Sequence, residues 1–116
     1  MQKKISVVMV GVRNMNRAVR FYRSALKLPL KFQTPDYSEF QTGGAVLALE
    51  KRKKVAATGA SFTLPTRNIK RDRQELVRHK VKFWKPLRKQ AYGWVMMPRD
   101  TEGNIFEIVQ YARSGK

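Results

Sequence analysis

A single acidic residue interrupts the most apolar segment near the end of the chain. Glu107 lies within the run IFEIVQ at residues 105–110, which follows the turn-forming residues Asp100, Gly103 and Asn104. An ionised carboxylate in such a run is expected to hold a cation, to pair with a basic side chain, or to act as a general base. These three possibilities define the chemistry that the rest of the sequence must support.

The chain is basic, lacks cysteine and has the length of one compact unit. Its 116 residues include 25 Lys and Arg against 8 Asp and Glu, a net charge of +17. Without cysteine it has no disulfide, thiolate metal site or cysteine nucleophile. The apolar run after the N-terminal MQKK is too short for a signal peptide, and no stretch approaches the roughly 20 apolar residues of a membrane span. We therefore expect a cytoplasmic protein with no membrane partner.

The positive charge raises the possibility of a nucleic-acid partner. The basic residues fall mainly on the outer faces of two predicted helices, Arg17, Arg20, Arg23 and Lys27 on the first and Lys70, Arg71, Arg73 and Arg78 on the second. Only Lys51 to Lys54 form a block, where a linker is expected. No aromatic-rich RNA-binding signature or zinc-finger spacing accompanies the charge. We favour solvated surfaces, with nonspecific nucleic-acid association as an alternative.

Hydrophobic periodicity predicts the same order of elements twice. Strands are predicted at residues 5–12, 30–33, 38–41 and 45–50 in the first half, and at 60–64, 81–84, 92–97 and 104–111 in the second. A helix follows the first strand of each half, beginning at Asn14 and at Asn68. Their inward residues are predicted to be Ala18, Phe21, Tyr22, Ala25 and Leu26 in the first and Ile69, Leu76 and Val77 in the second.

An internal repeat supports this organisation. Arg13, Asn14 and Met15 recur as Arg67, Asn68 and Ile69, 54 residues later, at the same strand-to-helix junction. The sequence predicts an α+β fold of two tandem βαβββ modules, residues 1–51 and 59–112, joined by a basic linker at 52–58 within one domain spanning 1–116. Because each module alone leaves one sheet face bare, we expect them to form one sheet system with a shared cavity.

Three motifs resemble the vicinal oxygen chelate superfamily, which includes glyoxalase I, fosfomycin-resistance enzymes, extradiol dioxygenases and bleomycin-resistance proteins. They are VRNMNRAVRFYRSAL at residues 12–26, YGW at 92–94, and RDTEGNIFEIVQ at 99–110. The resemblance covers essentially the whole chain. It implies two βαβββ modules whose mixed sheets curl around a concave cleft, usually completed by a second subunit, and hence a homodimer.

The resemblance also implies where a metal ion would bind, and the residues there do not suit one. The metal ligands of the family fall here on Val7, on Ala48, within residues 59–61 and on Glu107. Of these, only Glu107 can donate as family ligands do. The single histidine, His79, lies at the end of the second predicted helix. We therefore predict no metal site and no cofactor, as in the metal-free branch that the bleomycin-resistance proteins represent.

Members of that branch bind a small organic molecule, such as an antibiotic or another aromatic compound, without transforming it. The resemblance and the predicted strands suggest seven ligand-binding residues here: Val7, Met9, Phe40, Ala48, Tyr92, Trp94 and Glu107. Trp84, Met96 and Met97 are further candidates. The charge of +17 leaves an anionic or neutral ligand as plausible as a cationic one. Glu107 either binds a cationic group of the ligand or pairs with an Arg or Lys inside the sheet, and we favour pairing.

Two alternatives to binding stay open. A metal-independent isomerase or lyase could use Glu107 as its general base, although no second acid or nucleophile accompanies it, so no other catalytic residue is predicted. Association with nucleic acid through the basic surface is the other alternative.

Overall fold

Two compact units make up the chain. The computed structural model describes residues 2–56 and 59–112, and divides the chain into residues 1–56 and residues 57–116. Each unit contains one helix and four strands in the order βαβββ. The predicted α+β class with two tandem modules is therefore confirmed. Residues 57 and 58 of the predicted linker lie outside the described residues.

The first unit is a four-stranded mixed sheet with one helix. Its elements are β1 (Val7–Val12), α1 (Met15–Ser24), β2 (Leu30–Gln33), β3 (Tyr37–Phe40) and β4 (Val46–Lys51). The strand order is β1-β4-β3-β2, with β1 parallel to β4 and the other pairs antiparallel. The basic block at residues 51–54 thus begins inside β4 rather than in a linker.

The second unit repeats this arrangement. Its elements are β5 (Ala60–Pro65), α2 (Ile69–Arg78), β6 (Phe83–Gln90), β7 (Gly93–Pro98) and β8 (Ile105–Tyr111). The strand order is β5-β8-β7-β6, with β5 parallel to β8. The edge strand β6 is longer than the predicted 81–84, because an edge strand with register shifts tolerates Pro86 and the basic residues around it.

The repeated asparagines cap the two helices in the same way. The Asn14 side chain accepts a hydrogen bond from the backbone N–H of Arg17 at 3.0 Å, and Asn68 accepts one from Arg71 at 3.2 Å. Each bond satisfies one of the free donors of the first helical turn. No helix in the described part of the chain is long and apolar enough to span a bilayer.

Each helix packs on one face of the sheet in its own unit. The residues that α1 buries are Met15, Ala18, Val19, Phe21 and Tyr22. From α2, Ile69 and Leu76 are buried, but Val77 is exposed, so its predicted inward position is wrong. We call the face that carries the helix the helix face and the opposite face the distal face. Successive residues of a strand alternate between the two.

Candidate functional site

Glu107 lies on the distal face of the second sheet. Its neighbours Phe106 and Ile108 point to the helix face, where the Phe106 ring stacks on Phe62 with 5.3 Å between centroids. Ile105 and Val109, which share the distal face with Glu107, are both buried. Glu107 itself is half-buried. A carboxylate is therefore held between two apolar side chains, with the orientation that strand alternation predicts.

The neighbouring strand supplies the hydrogen-bond partner of Glu107. Thr63 pairs with Glu107 in the β5–β8 register, and its Oγ1 donates to Glu107 Oε1 at 3.0 Å. Within residues 2–56 and 59–112, no Lys or Arg forms an ion pair with this carboxylate. The described residues therefore do not supply the ion pair that was favoured for Glu107, and that interpretation stays a prediction. Oε2 makes no hydrogen bond to the described residues, so it can accept one from a ligand.

Trp94 lies on the opposite face of the same sheet. Its cross-strand neighbour is Gln110, whose side chain accepts a hydrogen bond from the backbone N–H of Ile69 at the start of α2. The Lys70 ammonium of α2 lies 6.0 Å from the Trp94 ring centroid. Trp94 and Glu107, both predicted to bind a ligand, therefore lie on opposite faces of the second sheet, because the β7–β8 register turns the indole to the helix face.

Gly93, the first residue of β7, constrains the pairing register between β7 and β8. Its φ is +141°, a conformation that disfavours any residue with a side chain. A Cβ there would overlap the carbonyl oxygen of Gln110 and lie 2.8 Å from the backbone nitrogen of Ala112. The glycine of the YGW motif is thus required by close approach of two backbones.

Phe40 and Tyr92 are the two other aromatic residues predicted to bind a ligand. Phe40 is fully buried on the helix face of the first sheet, with its ring 5.9 Å from that of Tyr22, so in this structure it packs against the helix of its own unit. Tyr92 is exposed in the β6–β7 turn, 6.5 Å from the Tyr111 ring. Tyr111 is four positions from Glu107 along β8, a distance of about 13 Å.

The distal face of the first sheet carries the predicted residues of β1 and β4. Val7 and Met9 are 42% and 46% exposed. Ala48 is fully buried between Met9 and Glu39, its neighbours in the β1–β4 and β3–β4 registers. Val7, Met9 and Ala48 therefore lie on one face of the sheet, where Val7 and Met9 are exposed and Ala48 is covered by its neighbours.

The same surface carries a polar cluster that the sequence analysis missed. The Tyr37 hydroxyl donates to Glu39 Oε2 at 2.6 Å, and the Lys31 ammonium lies 3.3 Å from Glu39 Oε1. The hydrogen bond from Tyr37 and the nearby Lys31 lower the pKa of Glu39, while the bond to Glu39 raises the pKa of Tyr37. The sequence contains one signal for this cluster, because Tyr37 and Glu39 are two residues apart in β3 and therefore point to the same face.

A cavity of about 680 Å³ opens beside this cluster. Its lining residues are Arg13, Asp36, Tyr37, Glu50, Lys51, Arg52 and Lys53. Arg52 Nε pairs with Glu50 Oε1 at 3.0 Å. Four cationic side chains thus face two carboxylates and the edge of one phenol ring. The cavity has the size of a small-molecule site, typically about 300–1,000 Å³.

The residues at the implied metal positions do not fit a transition-metal ion. Val7 and Ala48 offer no donor atom, and Glu107 offers one carboxylate that Thr63 already engages. No group of three or more His, Cys, Asp or Glu side chains in the described ranges could hold a metal ion. His79 is exposed at the C-terminal end of α2. A transition-metal centre normally needs three or four protein donors.

Solved structures with the same fold cover nearly the whole chain. A glyoxalase-related enzyme from Fulvimarina pelagi is 21% identical, with a TM-score of 0.78 over 94% of this chain and 88% of its own. The fosfomycin resistance protein FosX from Listeria monocytogenes is 13% identical, with a TM-score of 0.84 over 97% of both chains. Lactoylglutathione lyase from Agrobacterium tumefaciens is 14% identical, with a TM-score of 0.78 over 94% of both. At these identities the likeness concerns the fold alone.

The family itself follows from the sequence match. A search of the curated proteins found no match. The family model described as Glyoxalase/Bleomycin resistance protein/Dioxygenase superfamily matches residues 4–108. That range includes the first βαβββ module, the second module as far as Ile108 in β8, the YGW motif and Glu107. The chain belongs to the glyoxalase/bleomycin resistance protein/dioxygenase superfamily.

Proposed function

We propose that this protein binds a small organic molecule on the distal face of its first sheet, and that binding does not need a metal ion. The observation that carries the proposal is the cavity of about 680 Å³ lined by Tyr37 and Glu50, in the sheet that also exposes Val7 and Met9. Exposed apolar side chains next to a few fixed polar groups are typical of ligand sites. Glu107, on the sheet of the second unit, is proposed as a separate ligand contact.

The charge of the cavity indicates the ligand class. Arg13, Lys51, Arg52 and Lys53 outnumber the two carboxylates, Asp36 and Glu50, and one of these is already paired with Arg52. An anionic or neutral compound therefore fits better than a cationic one. The Phe32 and Tyr37 rings, with 6.0 Å between centroids, add flat apolar surface for an aromatic group.

The side chains at the implied metal positions offer too few donor atoms for a metal centre. Val7 and Ala48 cannot coordinate a metal ion, and one carboxylate with one hydroxyl is too few ligands for zinc, iron, manganese or nickel. Catalysis by Glu107 alone is less well supported, because its only described hydrogen-bond partner is the hydroxyl of Thr63. Among the described residues, no second carboxyl group forms a hydrogen bond with Glu107 to complete an acid–base pair.

A thermal-shift screen tests this proposal. Aromatic carboxylates, aromatic phosphonates, neutral aromatics and aromatic amines are compared in the presence of a chelator, with fosfomycin included because one fold relative carries its name. We expect stabilising compounds among the acids or neutral aromatics. A screen in which only amines stabilise the protein, or none does, contradicts the proposal.

A pair of charge variants locates the site. Lys51→Gln combined with Lys53→Gln removes two charges from the cavity, whereas Arg20→Gln combined with Arg23→Gln removes two from the exposed surface of α1. We expect the first pair to weaken binding of an acidic compound and the second to change it little. Equal effects of the two pairs would show that net charge, not the cavity, determines binding.

A further inference from the structure

A second, basic groove borders the helix face of the second sheet. A cavity of about 430 Å³ lies between α2 and the edge strand β6, lined by Lys70, Arg73, Gln74, Pro86 and Leu87. The three α2 residues occupy positions i, i+3 and i+4, so they form one side of the helix. The groove therefore has one basic wall and one apolar wall.

Lys70 lines this groove and also lies close to Trp94. The ammonium of Lys70 lies 6.0 Å from the centre of the indole, and Lys89 is the cross-strand neighbour of Trp94 in the β6–β7 register. The Trp94 side chain is 38% exposed. The partly exposed indole ring of Trp94 thus lies close to two cationic side chains, those of Lys70 and Lys89.

The acidic residues of α2 do not neutralise the groove. Asp72 accepts a hydrogen bond from the Thr66 hydroxyl, and Glu75 pairs with Arg78 at 2.7 Å. Neither carboxylate belongs to the lining of the cavity. The charge of Lys70 and Arg73 therefore faces the groove without an opposing carboxylate from their own helix.

We propose that this groove binds single-stranded nucleic acid. Lys70, Arg73 and Lys89 contact backbone phosphates, and a base stacks on Trp94. A single strand fits because an aromatic side chain can stack only on a base that is not already stacked within a duplex. The net charge of +17 favours encounter with the polyanion. This site is separate from the cavity of the first unit and does not depend on the small-molecule proposal.

Fluorescence anisotropy of a labelled oligothymidylate measures this binding directly. Trp94→Ala should weaken binding roughly 5- to 150-fold, as expected for loss of one stacking side chain. Trp94→Phe, which keeps an aromatic face, should retain most of the affinity, and this second variant guards against a folding defect. Lys70→Gln combined with Arg73→Gln should reduce the slope of log Kd against log salt by about 1.4, or about 0.7 per lost phosphate contact.

The control is a pair of substitutions with the same charge change on α1. Arg20→Gln combined with Arg23→Gln should leave the salt slope and the Trp94 dependence unchanged. In a Trp84→Phe background, where Trp94 is the remaining tryptophan, indole fluorescence should change with oligothymidylate but not with inorganic polyphosphate.

Three results would overturn the proposal. The first is equal weakening by the groove variants and the α1 control pair. The second is full competition by polyphosphate without any change in indole fluorescence, which would mean charge attraction alone. The third is preference for duplex DNA over the single strand at the same salt concentration.

Discussion

The hydroxyl of Thr63 donates a hydrogen bond to Glu107 Oε1 across adjacent parallel strands, with 3.0 Å between the oxygens. This bond accounts for one lone pair of the only carboxylate on β8 and leaves Oε2 available to a ligand. It also distinguishes Glu107 from an ion-paired structural residue, whose partner would be left buried and charged when the carboxylate is removed.

Glu107→Gln should therefore change the free energy of unfolding by less than about 1 kcal/mol, because the amide oxygen can still accept from Thr63. Glu107→Leu, which removes the acceptor, should cost no more than about 1 kcal/mol, because the exposed Thr63 hydroxyl can bond to water instead. Urea denaturation measures both variants. A loss of more than about 3 kcal/mol for Glu107→Gln would indicate a buried cationic partner.

Gly93→Ala should destabilise the fold by more than about 1 kcal/mol, because both its φ of +141° and the nearby backbone of β8 exclude a Cβ. Gly44→Ala is the matched control, since a Cβ there meets no atom within 4 Å. That substitution should be neutral or slightly stabilising. The two variants are compared by urea denaturation, and equal stability would contradict the close approach of β7 and β8 at this glycine.

The Tyr37–Glu39 pair should make stability depend on pH in a defined direction. The pKa of Glu39 is lowered from 4.5, so its contribution is present above that value and is lost as the pH falls through the folded-state pKa. The pKa of Tyr37 is raised from 10.0, so its contribution is present below that value and is lost as the pH rises through the folded-state pKa.

Tyr37→Phe tests this assignment, because it removes the hydroxyl and keeps the ring. The difference in unfolding free energy between the wild type and the variant should narrow on acidification below the ordinary pKa of Glu39. In carbon-detected NMR titrations, the Glu39 pKa should move upward in the variant. A Glu39 titration that is identical in both proteins would refute the hydrogen bond.

Exposed apolar residues on the distal face of the first sheet lead us to expect a two-fold dimer in solution. Val7, Met9 and Phe32 do not line the cavity of about 680 Å³, and association would remove their apolar surface from water. Sedimentation velocity at micromolar concentration should find a dimer, and Val7→Lys should shift the population toward monomer. Arg20→Lys is a surface control. A wild-type monomer at that concentration would disprove the expectation.

Local patterns predicted the modules and the orientation of Glu107. The two asparagine caps, the βαβββ order and the alternation around Glu107 depend on residues that are close in sequence. The hydrogen-bond partner of Glu107 could not be predicted in this way, because Thr63 is 44 residues distant and is placed by the β5–β8 register.

Trp94 shows why the candidate site was harder to predict than the fold. Whether Trp94 shares a face with Glu107 depends on the register between β7 and β8, and a change of one residue would reverse the answer. The close approach at Gly93 that fixes this register involves Gln110, which is remote in sequence. The packing of Phe40 is also remote in sequence, because its partner Tyr22 is on α1.

Isothermal titration of the best compound from the ligand screen tests the central claim most directly, namely that the protein binds a small organic molecule without a metal ion. Protein stripped of metal by a chelator is titrated alone and again after addition of zinc, manganese or nickel. We expect the two Kd values to agree within about twofold, which is less than about 0.5 kcal/mol. Binding that appears only after a metal ion is added, and that Glu107→Gln abolishes, would contradict the account.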